Sequence, residues 1–309
     1  MDNNIKKWIY LSLLAIVWGS SFILMKKALL GVTPIQLGAL RMVFTAVFLL
    51  MVAPRSIRRI QSRHWKFILF TALAGTFFPV FLFAYAMLNI DSSIVSILNS
   101  FTPFNTLIIG AIFFGFAFRR IQLLGILIGL IGTLILIVKG AEMNPNQNYL
   151  FAILVVVASV GYALNGNIVK KHLSDLDALA ITTGNFLLLL GPALLVLAAT
   201  GFFNTFTASS LELRALAYIG ILSVFGTGIA KTIYNELVHI SSPVFSSSVT
   251  YLIPIVAVFW GVIDGEKLSF LQVLAGVIIL LGVYLVNMKK PKILKKIQKK
   301  KSLIIDSFL

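Results

Sequence analysis

The sequence predicts an all-α polytopic membrane protein of ten transmembrane helices, arranged as two inverted five-helix repeats. Three observations lead there. First, the 309 residues are 59% hydrophobic and only 12% charged, with a mean hydropathy of +0.99; a soluble chain is ~45–50% apolar and ~25% charged. So apolar a chain has no polar shell to present to water, and the bilayer is its solvent. Second, apolar runs long enough to span occur ten times. Third, the chain repeats itself: at an offset of 151 positions, Gly75/Gly226, Thr76/Thr227, Ser96/Ser247, Pro103/Pro254, Gly110/Gly261 and Gly125/Gly276 coincide without a gap. Upstream the offset is 144, pairing Trp18 with Tyr162, Lys26 and Lys27 with Lys170 and Lys171, and Arg41 with Asn185. The difference fits a longer loop around Gly201–Leu211 in the second copy. Internal symmetry in an apolar chain is a mark of secondary transporters.

A spanning helix needs ~20 mostly apolar residues. The runs that meet this fall near 8–25, 34–53, 66–89, 92–114, 121–139, 149–170, 177–199, 214–239, 243–263 and 269–288. The first follows Lys6 and Lys7 as a signal peptide would, but without a small-x-small cleavage site it is expected to be a retained helix. Turn residues such as Pro34, Pro54, Asp91, Asn144-Pro145 and Asp264-Gly265 separate the runs. Residues 1–140 form the first repeat, 149–288 the second, and 289–309 a basic tail.

The formal charge of +16 raises nucleic acid as a partner, but the distribution argues against it. Eight of the 26 Lys and Arg follow Met288, and most others lie in short loops. With the N-terminus inside, nineteen Lys and Arg fall on the cytoplasmic side against five outside. The positive-inside bias therefore places both termini in the cytoplasm of a cell (inner) membrane protein. Five spans per repeat is odd, so the second copy enters from the opposite side and the repeats are inverted. The tail spaces Ile293, Leu294 and Ile297 among lysines, as a segment lying on anionic lipid would; a solvated tail is the alternative. No cysteine is present, which excludes disulfides and thiol chemistry.

In this setting the residues resemble the EamA family of the drug/metabolite transporter superfamily across 8–288. The marks are Trp18-Gly19-Ser20-Ser21-Phe22, then Arg41 within Leu40-Arg41-Met42, then Pro103 and Pro254, and Gly265-Glu266-Lys267-Leu268 before a Gly-bearing last helix. One departure is plain: the family's acidic residue after the proline helix is Glu266 in the second copy but Gly115 in the first. The resemblance implies ten helices, inverted repeats, a central cavity and transport, often export, of small metabolites such as amino acids.

Ionisable residues inside spans cost ~2.5–3.5 kcal/mol each at the bilayer centre, so the few present are informative. Lys231 lies eight residues before His239, about 12 Å deep at 1.5 Å per residue. Thr227, Lys231, Tyr234 and Asn235 share one helix face, which suits a wet cavity; a Lys snorkelling to the surface is the alternative. Arg41 stands seven residues after Pro34, about 10 Å in, placed either to bind a substrate carboxylate bidentately or to clamp backbone carbonyls. Glu236 is ~140° around the helix from Lys231, so it is expected to pair across helices or to carry a coupled proton. Pro103 and Pro254, with Pro79 and Pro192, each remove a helical hydrogen bond. The first two, at equivalent positions, are hinge candidates. Asn99 and the serines around it offer hydrogen bonds or close packing, and Trp18, Tyr85, Tyr162, Tyr234 and Tyr251 are candidates for a cavity wall.

No Ser-His-acid set, metal-ligand cluster or Walker A sequence appears, so neither catalysis, a cofactor nor direct ATP use is expected. The expected activity is secondary transport, as an exporter, of a small polar or amphipathic metabolite. A retinal-type photoreceptor with a Schiff base on Lys231 and a passive channel are the alternatives from other classes.

Overall fold

The computed structural model describes residues 3–115, 120–143, 146–266 and 269–288; the basic tail and its expected lipid contact lie outside them. The described residues are helical, with no strand among them. Helices α1 (Asn3–Ala28), α2 (Pro34–Val52), α3 (Ser62–Ala86), α4 (Ser92–Phe114) and α5 (Arg120–Met143) follow one another. Then come α6 (Tyr149–His172), α7 (Ala178–Ala199), α8 (Ser210–Ile240), α9 (Pro243–Ile263) and α10 (Phe270–Asn287). Eight of these, all but α5 and α10, are long and apolar enough among the described residues to cross a membrane.

The starts of the helices follow from local chemistry. Thr33 opens α2 with a capping box: its hydroxyl accepts from Gln36 N–H at 3.3 Å, and Gln36 Oε1 accepts from Thr33 N–H at 3.0 Å. Ser209 with Glu212 and Ser269 with Gln272 do the same for α8 and α10. Each box satisfies two of the orphan N–H groups at a helix start.

Prolines and glycines break the regular winding where the sequence repeats. In α3 the turn Leu73–Phe77, and in α8 the turn Leu222–Ile229, are π-helical. Both wrap the duplicated Gly-Thr pair, Gly75-Thr76 and Gly226-Thr227. In α4 and α9 a tight 3₁₀ turn (Asn99–Phe101 and Ser248–Tyr251) precedes the duplicated proline. A proline cannot donate to the carbonyl four residues back, so each leaves that carbonyl without its α-helical donor. Thr250 O, released by Pro254, accepts from Ser100 Oγ at 2.9 Å; Asn99 O, released by Pro103, accepts from Thr102 Oγ1 at 2.8 Å.

The helices pack in a pattern that exchanges under the numbering 1–5 and 6–10. Helix α1 lies on α8 and α9, while α6 lies on α3 and α4; α2 packs on α7, and α5 on α10. The α5–α10 crossing is close enough that a Cβ on Gly282 would meet Gly125 O at 2.4 Å, the small-residue contact typical of membrane helices. Outside, Leu195, Phe113, Ile112 and Ile153 present apolar surface. Inside, polar groups are bonded across helices: Asn185 Nδ2 donates to Ile68 O at 2.8 Å and Thr71 Oγ1 at 2.9 Å, and Asn235 Nδ2 to Thr182 Oγ1 at 3.1 Å.

Candidate functional site

Some of the interior polar residues line a cavity of about 950 Å³ of atom-free space, its open mouth included. Helices α1 to α4 and α6, α8 and α9 contribute to it, so it lies between the two copies.

Arg41 on α2 and Lys231 on α8 supply its charge. Arg41 Nε donates to Thr227 Oγ1 at 2.7 Å, and Nη1 lies 3.4 Å from Met25 Sδ. Lys231 is 7% exposed; its Nζ donates to Gly75 O at 3.2 Å and to Thr76 Oγ1. The availability of Gly75 O follows from the sequence, because it is the carbonyl that Pro79, four residues on, cannot use. The corresponding carbonyl in the second copy, Gly226 O, accepts from Trp18 Nε1 at 2.9 Å. Each duplicated glycine thus turns one backbone acceptor toward a side chain from another helix. A Cβ on Gly75 would sit 2.5 Å from Asn165 Oδ1 and 2.6 Å from its Cβ, and one on Gly226 2.8 Å from Ser21 Oγ, so in each case the neighbouring side chain would have to shift. Ser21 and Asn165 are themselves partners at the 144 offset.

Aromatic rings form the walls in two matching pairs. Trp18 meets Tyr234 with centroids 5.4 Å apart, and Tyr162 meets Phe83 at 5.8 Å. Trp18 and Tyr162 are equivalent at offset 144, Phe83 and Tyr234 at 151, so the two contacts are one contact made twice.

Of the residues singled out by sequence, Lys231, Arg41, Trp18, Asn99, Tyr162, Thr227 and Tyr234 line this cavity. Tyr85 is outside the lining and 37% exposed, and Tyr251 is buried in the apolar core around Ile253 and Ala257. Pro103 and Pro254 are buried in the 3₁₀-to-α junctions of α4 and α9. Glu236 points away from the cavity and pairs with Lys6 at 3.0 Å, both about a third exposed. The sequence reading missed Phe83, Ser21 and Asn165. Asn165 Oδ1 is buried with no hydrogen-bond partner. Its alignment with Ser21, in the Gly-Ser-Ser stretch after Trp18, was the available signal.

A second cluster closes the end of the bundle away from the N-terminus. Glu266, with 2% of its side chain exposed, receives Lys26 Nζ on Oε1 at 2.8 Å. The same oxygen accepts from Ser92 Oγ at 2.5 Å, while Oε2 accepts from Ser93 N–H at 3.2 Å and from Ser93 Oγ. A carboxylate at the N-terminus of α4 is favoured by the helix dipole. Burial pushes the Glu266 carboxyl up, but the bonds from Lys26, Ser92 and Ser93 outweigh it and hold the group below its ordinary value. Asp264 binds Lys26 at 2.8 Å and also Lys27. At the opposite end Lys170, equivalent to Lys26, has no such carboxylate, because Gly115 stands where Glu266 does. Its Nζ instead caps the end of α8, donating to Val238 O (3.1 Å), His239 O (2.9 Å) and Ser241 O (2.7 Å).

Comparison with known proteins places this geometry. The profile of the EamA-like transporter family matches residues 6–138 and 150–288, one match per copy. The "Uncharacterized inner membrane transporter YedA" of Escherichia coli (strain K12) is 27% identical over 282 residues, covering 90% of this chain and 89% of the relative. The "Uncharacterized transporter sll0355" of Synechocystis is 25% identical over 309 residues, covering 94% and 92%. A crystal structure at 17% identity superposes with a TM-score of 0.65 over 90% of this chain and 95% of its own, and so shares the fold. With the family profile matching both halves, the chain belongs to the EamA-like transporter family and is a multi-pass membrane protein.

Proposed function

We propose that this protein is a secondary transporter, working as an exporter, of a small polar or amphipathic metabolite that carries an anionic group. The observation that carries this reading is the presence of Arg41 and Lys231 in one cavity between the copies, each bonded only to neutral acceptors in the described contacts. Buried charges are normally paired, and an anionic substrate supplies the missing partner. Arg is suited to grip a carboxylate bidentately.

The proposed movement is alternating access: the repeats 1–140 and 149–288, inverted and spanning five times each, rock around the cavity. The exchange of α1 on α8 and α9 for α6 on α3 and α4 supports it, as do the matched aromatic pairs. The positive-inside bias puts both termini in the cytoplasm, which makes the Glu266 cluster an outer closure. Pro103 and Pro254 serve as hinges.

Counterflow in proteoliposomes tests the proposal. Saturable flux stimulated by substrate on the opposite side is the carrier signature. Lys231→Met and Arg41→Gln each reduce it at least about tenfold, the weight of one charge-assisted bond of ~1.5–3 kcal/mol. Flux undiminished in both variants removes these residues from the site. Linear, unsaturable flux makes the protein a channel.

A further inference from the structure

The cavity also bears on what its substrate lacks. Seven Asp and Glu side chains are described by the structure, and each is committed elsewhere. Asp175 and Asp177, in the loop between α6 and α7, meet Arg63 in the first turn of α3 and Arg59 in the loop before it. Glu212 closes the capping box of α8, and Glu236 meets Lys6. Asp264 and Glu266 hold Lys26 and Lys27, and Asp91 precedes α4 beside Gln147. None lines the cavity. An α-amino acid entering it brings its carboxylate to two cations, but its ammonium meets no opposing charge and shares a poorly solvated space with like charges. Such a group is costly to bury unpaired.

The cavity does offer a neutral acceptor. Asn165 is 4% exposed and its Oδ1 has no donor; it sits against Gly75, whose carbonyl holds Lys231. A hydroxyl beside the carboxylate suits that atom without adding charge. The remaining lining is apolar or aromatic, with Phe22, Met25, Val80, Phe83 and Ile253 around the Trp18 and Tyr162 rings.

Resting on the transporter reading above, we propose that the substrate is an organic acid with an apolar or aromatic body, preferably a 2-hydroxy acid, and not the amino acid of the same skeleton. The carboxylate lies between Arg41 and Lys231, the hydroxyl donates to Asn165 Oδ1, and the body lies against the aromatic pairs.

The test uses the intact protein in proteoliposomes and four compounds sharing one ring and chain: 3-phenyllactate, 3-phenylpropionate, phenylalanine and phenethylamine. Counterflow and competition are read for each. The expected order is 3-phenyllactate first, 3-phenylpropionate next, phenylalanine at least about tenfold weaker, and phenethylamine inert. In Asn165→Leu the advantage of the hydroxy acid over 3-phenylpropionate disappears while 3-phenylpropionate still moves. Lys231→Met brings phenylalanine closer to 3-phenyllactate. Transport of phenylalanine equal to that of 3-phenyllactate, or competition by phenethylamine, overturns the proposal and leaves the transporter reading standing. If no carboxylate, including 2-hydroxyisocaproate as an aliphatic probe, moves or stabilises the monodisperse protein, both readings fall.

Discussion

Replacing Glu266 by Gln tests the outer closure most directly. The substitution keeps the shape and removes the charge. It costs the ionic share of the Lys26 contact at 2.8 Å and sets an amide N–H₂ against one of the serine N–H donors at 3.2–3.3 Å. Removing one partner of a buried pair costs ~3–5 kcal/mol. Here Lys26 keeps Asp264 at 2.8 Å and is itself a third exposed, so the cost falls below that range, at about 2–3 kcal/mol. If these contacts exist only with the outer side closed, that amount shifts the equilibrium toward outward opening by about 30- to 150-fold, since 1.4 kcal/mol is tenfold. The assay is thiol labelling, for which the chain is already suited because it contains no cysteine. Ser21→Cys places one thiol on the cavity wall. An impermeant reagent added outside then labels the Glu266→Gln background faster than the native one. Equal labelling rates, with an unchanged melting midpoint, refute the closure. The sign of the pH effect is also fixed. The Glu266 carboxyl is held below its ordinary value, so its contribution is complete above the unfolded pKa of ~4.3 and is lost as pH falls through the lower folded value. Native labelling is therefore flat from about pH 5 to 8 and rises only in stronger acid.

Three further outcomes are expected. Arg41→Lys retains charge but loses the planar fork, so it keeps more of the flux than Arg41→Gln does but less than the native protein, read as kcat/KM in counterflow. Gly161→Val drives a side chain into Ala74 O, which lies 2.2 Å from the Cβ position; with backbone on the far side it destabilises by at least about 1–3 kcal/mol, seen as a lower melting midpoint. Glu236→Gln removes a pair about a third exposed, worth ~0.2–1 kcal/mol, and leaves pH-gradient-driven flux intact; loss of that flux restores Glu236 as the proton carrier.

Eight of the ten expected spans, counted among the described residues, and the duplication in the sequence were legible because both are written in hydropathy and identity over many residues. The helix ends differ modestly: α8 begins at Ser210, four residues before the first expected position, since its capping box lies in a polar stretch that hydropathy does not register. Lys231 and Tyr234 could be found together because they share one face of the α-helical stretch after Ile229; Thr227, in the π-turn before it, reaches the same cavity. Tyr85 and Tyr251 could not be placed so. Tyr251 lies in a 3₁₀ turn, and Tyr85 follows a π-turn; either departure changes the face by up to ~100° relative to an ideal helix. Asn165 went unread because Asn165 and Asn167, two residues apart, point to different sides of a helix and leave no one-face periodicity. Glu266 was visible only as part of a motif, since its partners are distant in sequence: Lys26 240 residues away and Ser92 174.

The paired π-turns also bear on descent. A π-turn accommodates one surplus residue in a helix, and the Gly-Thr pairs inside both turns align without a gap at offset 151. The simplest history has the surplus residue already present in a single ancestral unit, before that unit was copied. Deleting either residue would restore ordinary winding and swing everything downstream by ~100°. Lineages retaining the cavity are accordingly expected to tolerate substitutions near these turns far better than single-residue gaps.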